Sequence, residues 1–257
     1  MIIIAIANQK GGTGKTPTTV NVGFALARKG CSVLLVDLDP QGSLSEYFLA
    51  EKAETQEPTI YDALVGMEPI QPLPLASSGK MSIDLLPAHD GLAAAEIELP
   101  NKPNAQKRLA KILGSYTYDF CLLDCPPSLG ILTLNALAAA HQVIIPVKTE
   151  LSAERTIKLI TRTIEEVQKS DLNTDLKIWG ILPTLYDVRK SHHKEMLQAI
   201  HHKHGEAVYA EPSKETTRYN DAVTARLDVS AFDKELGSYW DRIAETFITS
   251  ADGRDGQ

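Results

Sequence analysis

The sequence predicts an α/β protein with a doubly wound, mostly parallel sheet flanked by helices. Three observations carry this. Apolar runs of strand length recur along the 257 residues, among them "MIIIAIAN", "CSVLLVDLD" and "HQVIIPVKTE", without the polar alternation of a half-wetted sheet. Strands buried on both faces read this way. Helical periodicity fills the intervals between the runs, as crossovers between parallel strands require. A glycine-rich loop follows the first run directly and opens a helix.

Taken in order, 1–8 is a strand and Gly11 to Gly30 is loop then helix, with Val20, Val22, Phe24, Ala25 and Leu26 periodic and Gly30 as the stop. Strands follow at 31–39, 81–88, 118–127, 141–150 and 176–187, with an edge strand expected at 207–212. Helical patterns lie near 102–114, 129–140, 152–170 and 190–204, and a last helix runs over 234–250. Residues 48–80 are polar and proline-bearing and read as a peripheral excursion. No linker divides the chain, so residues 1–250 are expected to form one domain and 251–257 a disordered tail.

Composition bounds the class. Hydrophobic residues make up 43% and charged residues 23% of the chain, as in soluble globular proteins. The apolar run at the start is short for a signal peptide and lacks a preceding basic region, and no stretch is long enough to span a bilayer. Three cysteines, Cys31, Cys121 and Cys125, sit in apolar surroundings and suggest reduced thiols in a cytoplasmic protein. Cys121 and Cys125 share a strand face, where small buried hydrophobes are the expected reading rather than a metal pair. The net charge of −7 disfavours indiscriminate polyanion binding and leaves a local patch open.

The chemistry concentrates in "NQKGGTGKTPTT", Asn8 to Thr19. Between a buried strand and a helix, its glycines let successive N–H groups converge on an anion, and the helix N-terminus adds its positive end. Gly11, Gly12, Thr13 and Gly14 form the cradle, Lys15 is placed for the β- and γ-phosphates, and the Thr16 hydroxyl for Mg²⁺. The strict phosphate-loop pattern is not met, because Gln9 stands at its first glycine; what is met is K-G-G-x-G-K-[ST], with a second lysine, Lys10. Pro17 falls in the first helical turn, where a missing N–H is tolerated, so the helix should survive with one donor fewer near the α-phosphate.

"KGGTGKT", "VLLVDLDPQGS" and "YDFCLLDCPPSLGILTLNAL", continued by "PAHDGLAAAEIEL", "IIPVKTELSAE" and "LPTLYDVR", together resemble the ParA/Soj family of partitioning ATPases. These belong to the deviant Walker A group of P-loop NTPases, which also includes MinD and the nitrogenase iron protein. The similarity covers the chain to about residue 190 and thins toward about residue 230. It implies ATP and Mg²⁺ as ligands, with Lys10 reaching across a homodimer to the partner's ATP and Lys15 and Asp39 completing the catalytic set. It places Asp39 on the attacking water, and Asp37 and Asp124 on Mg²⁺ through water. It puts the adenine near Thr184, Asp187 and Pro212, beside the loop residues from Lys10 to Pro17.

The resemblance also implies an ATP-dependent dimer that binds nonspecific DNA, associates with the nucleoid and is released when a ParB-like centromere-binding protein stimulates a weak ATPase. Arg189, Lys190 and Arg218 are the DNA-contact candidates. Over 187–226, seven Lys/Arg face six Asp/Glu, so any patch must come from folding and pairing. Five histidines in the same region (His192, His193, His201, His202, His204) read as a solvated face rather than a metal site. A MinD-like membrane regulator would end in a basic amphipathic helix, whereas "YWDRIAETFITSADGRDGQ" carries mixed charge, so no membrane partner is expected. An iron–sulfur reductase would need a second bridging cysteine beside Cys125. A positioning ATPase for a protein cargo is a further alternative, and a non-enzymatic nucleotide-dependent scaffold is opposed by the intact Lys15, Thr16, Asp39 and Asp124.

Overall fold

The computed structural model describes residues 1–78 and 81–252. Among them, seven strands form one sheet: β1 (Ile2–Ile6), β2 (Ser32–Asp37), β3 (Leu73–Ser78), β4 (Met81–Leu86), β5 (Phe120–Asp124), β6 (Gln142–Lys148) and β7 (Lys177–Thr184). The order across the sheet is β3-β4-β2-β5-β1-β6-β7, all parallel except β3, which runs antiparallel to β4. The helices are α1 (Lys15–Arg28), α2 (Ser43–Leu49), α3 (Ile60–Gly66), α4 (Ala95–Glu98), α5 (Arg108–Leu113), α6 (Ile131–Ala139), α7 (Ala153–Lys169), α8 (Ser191–His204), α9 (Arg218–Ala225) and α10 (Lys234–Asp252).

The period-2 alternation of each strand sends neighbouring residues into two separate cores. Ile4, Ile6, Leu35 and Leu122 enter the layer under α1, α2 and α10, where Trp240, Ile243 and Phe247 are buried. Ile3, Ala5, Leu34, Val36 and Leu123 enter the opposite layer under α3, α5, α6 and α7. This is the doubly wound arrangement the sequence predicts. Helix α1 lies close on the sheet because residue 23 is glycine. A Cβ there would stand 2.8 Å from Leu35 Cδ2.

Two expectations need correction. The segment 48–80 is more than an excursion: it contributes α3 and the antiparallel edge strand β3. "LPLASS" carries a proline, and a strand paired on one side only has little need for a strong apolar signature. Conversely, 207–212 does not form a strand. It covers the free edge of β7 through Tyr209 N to Ile181 O (2.8 Å) and Ser213 N to Pro183 O (2.8 Å), leaving an isolated bridge at Val208. The predicted tail continues α10 as far as Asp252, and 253–257 lie outside the described residues.

Candidate nucleotide site

β1 delivers the chain to the carboxyl edge of the sheet, and α1 leaves from it four residues after Gly11. Gly14 caps α1 at φ +85°, a left-handed conformation in which a side chain is strained. The first helical bond runs from Thr18 N to Gly14 O (3.0 Å). Pro17 therefore occupies a position whose N–H has no intrahelical partner, and α1 passes through it unbroken. Its carbonyl accepts from Asn21 Nδ2 (2.7 Å).

Beneath the loop lie the carboxylates. Asp37 and Asp124 end adjacent strands and are register partners, so parallel pairing sets them abreast. Both are buried. Thr16 Oγ1 donates to Asp124 Oδ2 (2.6 Å), and Thr19 Oγ1 to Asp124 Oδ1 (3.3 Å). Asp37 accepts from Ser45 N and Ser45 Oγ (2.8 Å each) and from Asp39 N (3.1 Å). Burial pushes both carboxyls above the usual range. The charge of Asp124 adds to this at Asp37, while Thr16 and Lys15 hold Asp124 back. Burial lowers the Lys15 ammonium, against the pull of Asp124 and Asp39, and its Nζ turns onto Lys10 O at 3.4 Å. Half-buried Asp39 accepts from Gln41 N (3.0 Å). Two buried carboxyls flanked by hydroxyls are a set of hard oxygen donors whose ionised forms are disfavoured by burial and would be stabilised by a cation. They fit a divalent cation such as Mg²⁺.

Lys10 is placed differently from Lys15. Its ammonium lies against Glu150 and within 2.7 Å of Ser152 Oγ of the same chain. Thr184, Asp187 and Pro212 come together, lining one cavity of about 1230 Å³ with Gly14, Pro17 and Thr18. Within it, Thr184 Oγ1 donates to Thr13 O (2.7 Å) and clamps the loop. The Asp187 carboxylate is held well below the usual range by its hydrogen bonds from Arg189, at 2.9 and 2.8 Å.

Two of the DNA-contact candidates, Arg189 and Lys190, line the same cavity as Gly14, Pro17 and Thr18. Arg189 is 85% exposed in the β7–α8 loop, Lys190 pairs with Glu215 (2.7 Å), and Arg218 pairs with Asp221 (3.1 Å) at the start of α9. Cys121 and Cys125 are buried, and burial raises both thiols.

Sequence reasoning missed Thr19, Ser45, Glu150 and Lys148 among the residues around the loop. Thr19 was within reach, since it follows Lys15 by one helical turn and faces the same way. Ser45, Glu150 and Lys148 meet the site only through the fold.

A buried strand, a glycine-rich loop opening a helix, and an acid at the end of an adjacent strand touching that helix define a P-loop ATPase. The comparisons agree. A family model described as AAA domain matches residues 1–178. The chain is 36% identical to the chromosome-partitioning ATPase Soj of Treponema pallidum, over 99% of this chain and 98% of that protein. It is 43% identical to the chromosome partitioning protein ParA of Myxococcus xanthus, over 77% and 70%. It also resembles a crystal structure of cobyrinic acid a,c-diamide synthase from Mycobacterium smegmatis with bound ATP analogue and magnesium: TM-score 0.79, 34% identity, 96% of this chain and 94% of that one. The chain belongs to the ParA/Soj family of partitioning ATPases.

Proposed function

We propose that the chain binds MgATP in the loop from Gly11 to Thr16, pairs with a second copy around two nucleotides, and binds DNA without sequence preference in that state. Hydrolysis, stimulated by a ParB-like centromere-binding partner, then releases it. The observation that carries the reading is the Thr16–Asp124 contact of 2.6 Å under the loop. It joins a phosphate cradle to a strand-end carboxylate, the pairing that holds a phosphate-bound cation in a P-loop site.

The residues divide the work. Convergent N–H groups of the loop and the Lys15 ammonium hold the phosphates. Thr16, Asp37 and Asp124 would hold Mg²⁺, which would supply positive charge to the phosphate oxygens. Asp39 takes the proton of the attacking water. Lys10 leaves Glu150 and Ser152 and places its charge on the partner's phosphates, which makes ATP part of the interface. The cavity bounded by Thr184, Asp187 and Pro212 receives the base. Residues 1–250 act as one ATPase domain, cytoplasmic and on the nucleoid when ATP is bound.

A membrane role finds no support in α10, whose Trp240, Ile243 and Phe247 are spent on the core. Among the described residues no helix is long and apolar enough to cross a membrane. Light scattering tests the switch. Mass should double with Mg²⁺ and a non-hydrolysable ATP analogue and stay monomeric with ADP; equal mass in both states would refute it.

A further inference from the structure

We propose that Lys148 is a third cation of this site and contacts the terminal phosphate of the bound nucleoside triphosphate. The inference rests on the nucleotide reading above and adds a residue that the motif does not contain.

The fold brings Lys148 to the loop. Strand β6 lies beside β1 with Ile6 opposite Ile144. Four residues further on, Lys148 ends β6 alongside the loop that β1 runs into. Asn8 Nδ2 donates to Pro146 O (2.7 Å) and ties the two segments together. The Lys148 Nζ reaches to 3.7 Å from the point a Cβ on Gly12 would occupy. Gly12 sits at φ +65° in the middle of the cradle. The ammonium therefore stands over the loop rather than along the sheet edge.

Its partners, or their lack, distinguish it. Lys10 is held by Glu150 and Ser152, and Lys15 touches Lys10 O. The carbonyl of half-buried Lys148 accepts from Glu150 N (2.9 Å), whereas its ammonium has no hydrogen bond or ion pair among the described residues. An ammonium set over the cradle with no acid beside it is placed to meet an anion there. A terminal phosphate carries the densest charge such an anion offers. A charge-assisted contact to it should matter for a triphosphate and little for a diphosphate.

The test titrates Lys148→Gln, Lys148→Met and Lys148→Arg in the full chain with Mg²⁺ and fluorescent ADP or a fluorescent non-hydrolysable ATP analogue. Protein is kept at a concentration where light scattering reads monomer, so a contact across a dimer cannot mimic the effect. Both neutral variants should lose about tenfold or more in affinity for the analogue and less than about twofold for ADP, with Arg restoring the analogue. Unchanged affinities, or equal loss for both nucleotides, overturn the role of Lys148 and leave the nucleotide reading standing. Failure of the unaltered chain to bind the analogue overturns both.

Discussion

The loop at the carboxyl edge of the sheet and the β7–α8 loop handle charge in opposite ways. Under the phosphate loop, Asp37 and Asp124 are buried abreast, and Lys15 is buried above them. In the β7–α8 region every candidate cation is exposed and already has an acid: Asp187 for Arg189, Glu215 for Lys190 and, at the start of α9, Asp221 for Arg218. Buried, poorly compensated charge is costly and is kept where a ligand completes it. Exposed, self-paired charge contributes little to stability and offers a polyanion little net attraction. The first region is organised before its ligand arrives; in the proposed cycle the second gains its attraction for DNA only when two copies of the chain sum two weak surfaces.

Four substitutions probe that contrast, from the largest effect to the smallest. Asp39→Ala should lower the hydrolysis rate by about 100-fold and leave an ATP-held dimer if Asp39 is the acceptor for the water proton, as proposed. Wild-type turnover in a phosphate-release assay would exclude Asp39 from that role. Lys10→Ala should abolish the ATP-dependent dimer in light scattering while nucleotide affinity stays within about threefold, because its own chain's phosphates are served by Lys15. Arg189→Ala should weaken DNA binding and flatten the log–log salt dependence by about one unit; an unchanged slope would mean that Asp187 keeps this arginine off DNA. Pro17→Thr restores one N–H to the cradle and should tighten nucleotide binding by about two- to tenfold in calorimetry.

The sequence made the buried strands and the loop legible because both are local. A run such as "SVLLVD" or a string such as "GGTGKT" needs no distant partner to be read. Asp37 and Asp124 were legible for the same reason, as acids closing apolar strands. Edges were harder. β3 lacks a strong pattern because one neighbour is enough to hold it, and 207–212 reads as a strand but meets β7 only through isolated bonds. Ser45, Lys148 and Glu150 were invisible because their relation to the loop is set by the crossing of β2, β6 and β1, not by spacing. Charge pairing was equally hidden. The balance of seven basic and six acidic residues over 187–226 gave the net charge but not which acid neutralises which base.

The central claim is that nucleotide bound in the first region switches on DNA binding in the second. A DNA-retention assay on the unaltered chain, run without nucleotide, with ADP, with ATP and with a non-hydrolysable ATP analogue, tests it most directly. Retention is expected with ATP and its analogue, lost as salt rises, and none with ADP or without nucleotide. Equal retention in all four states, or none in any, would contradict it.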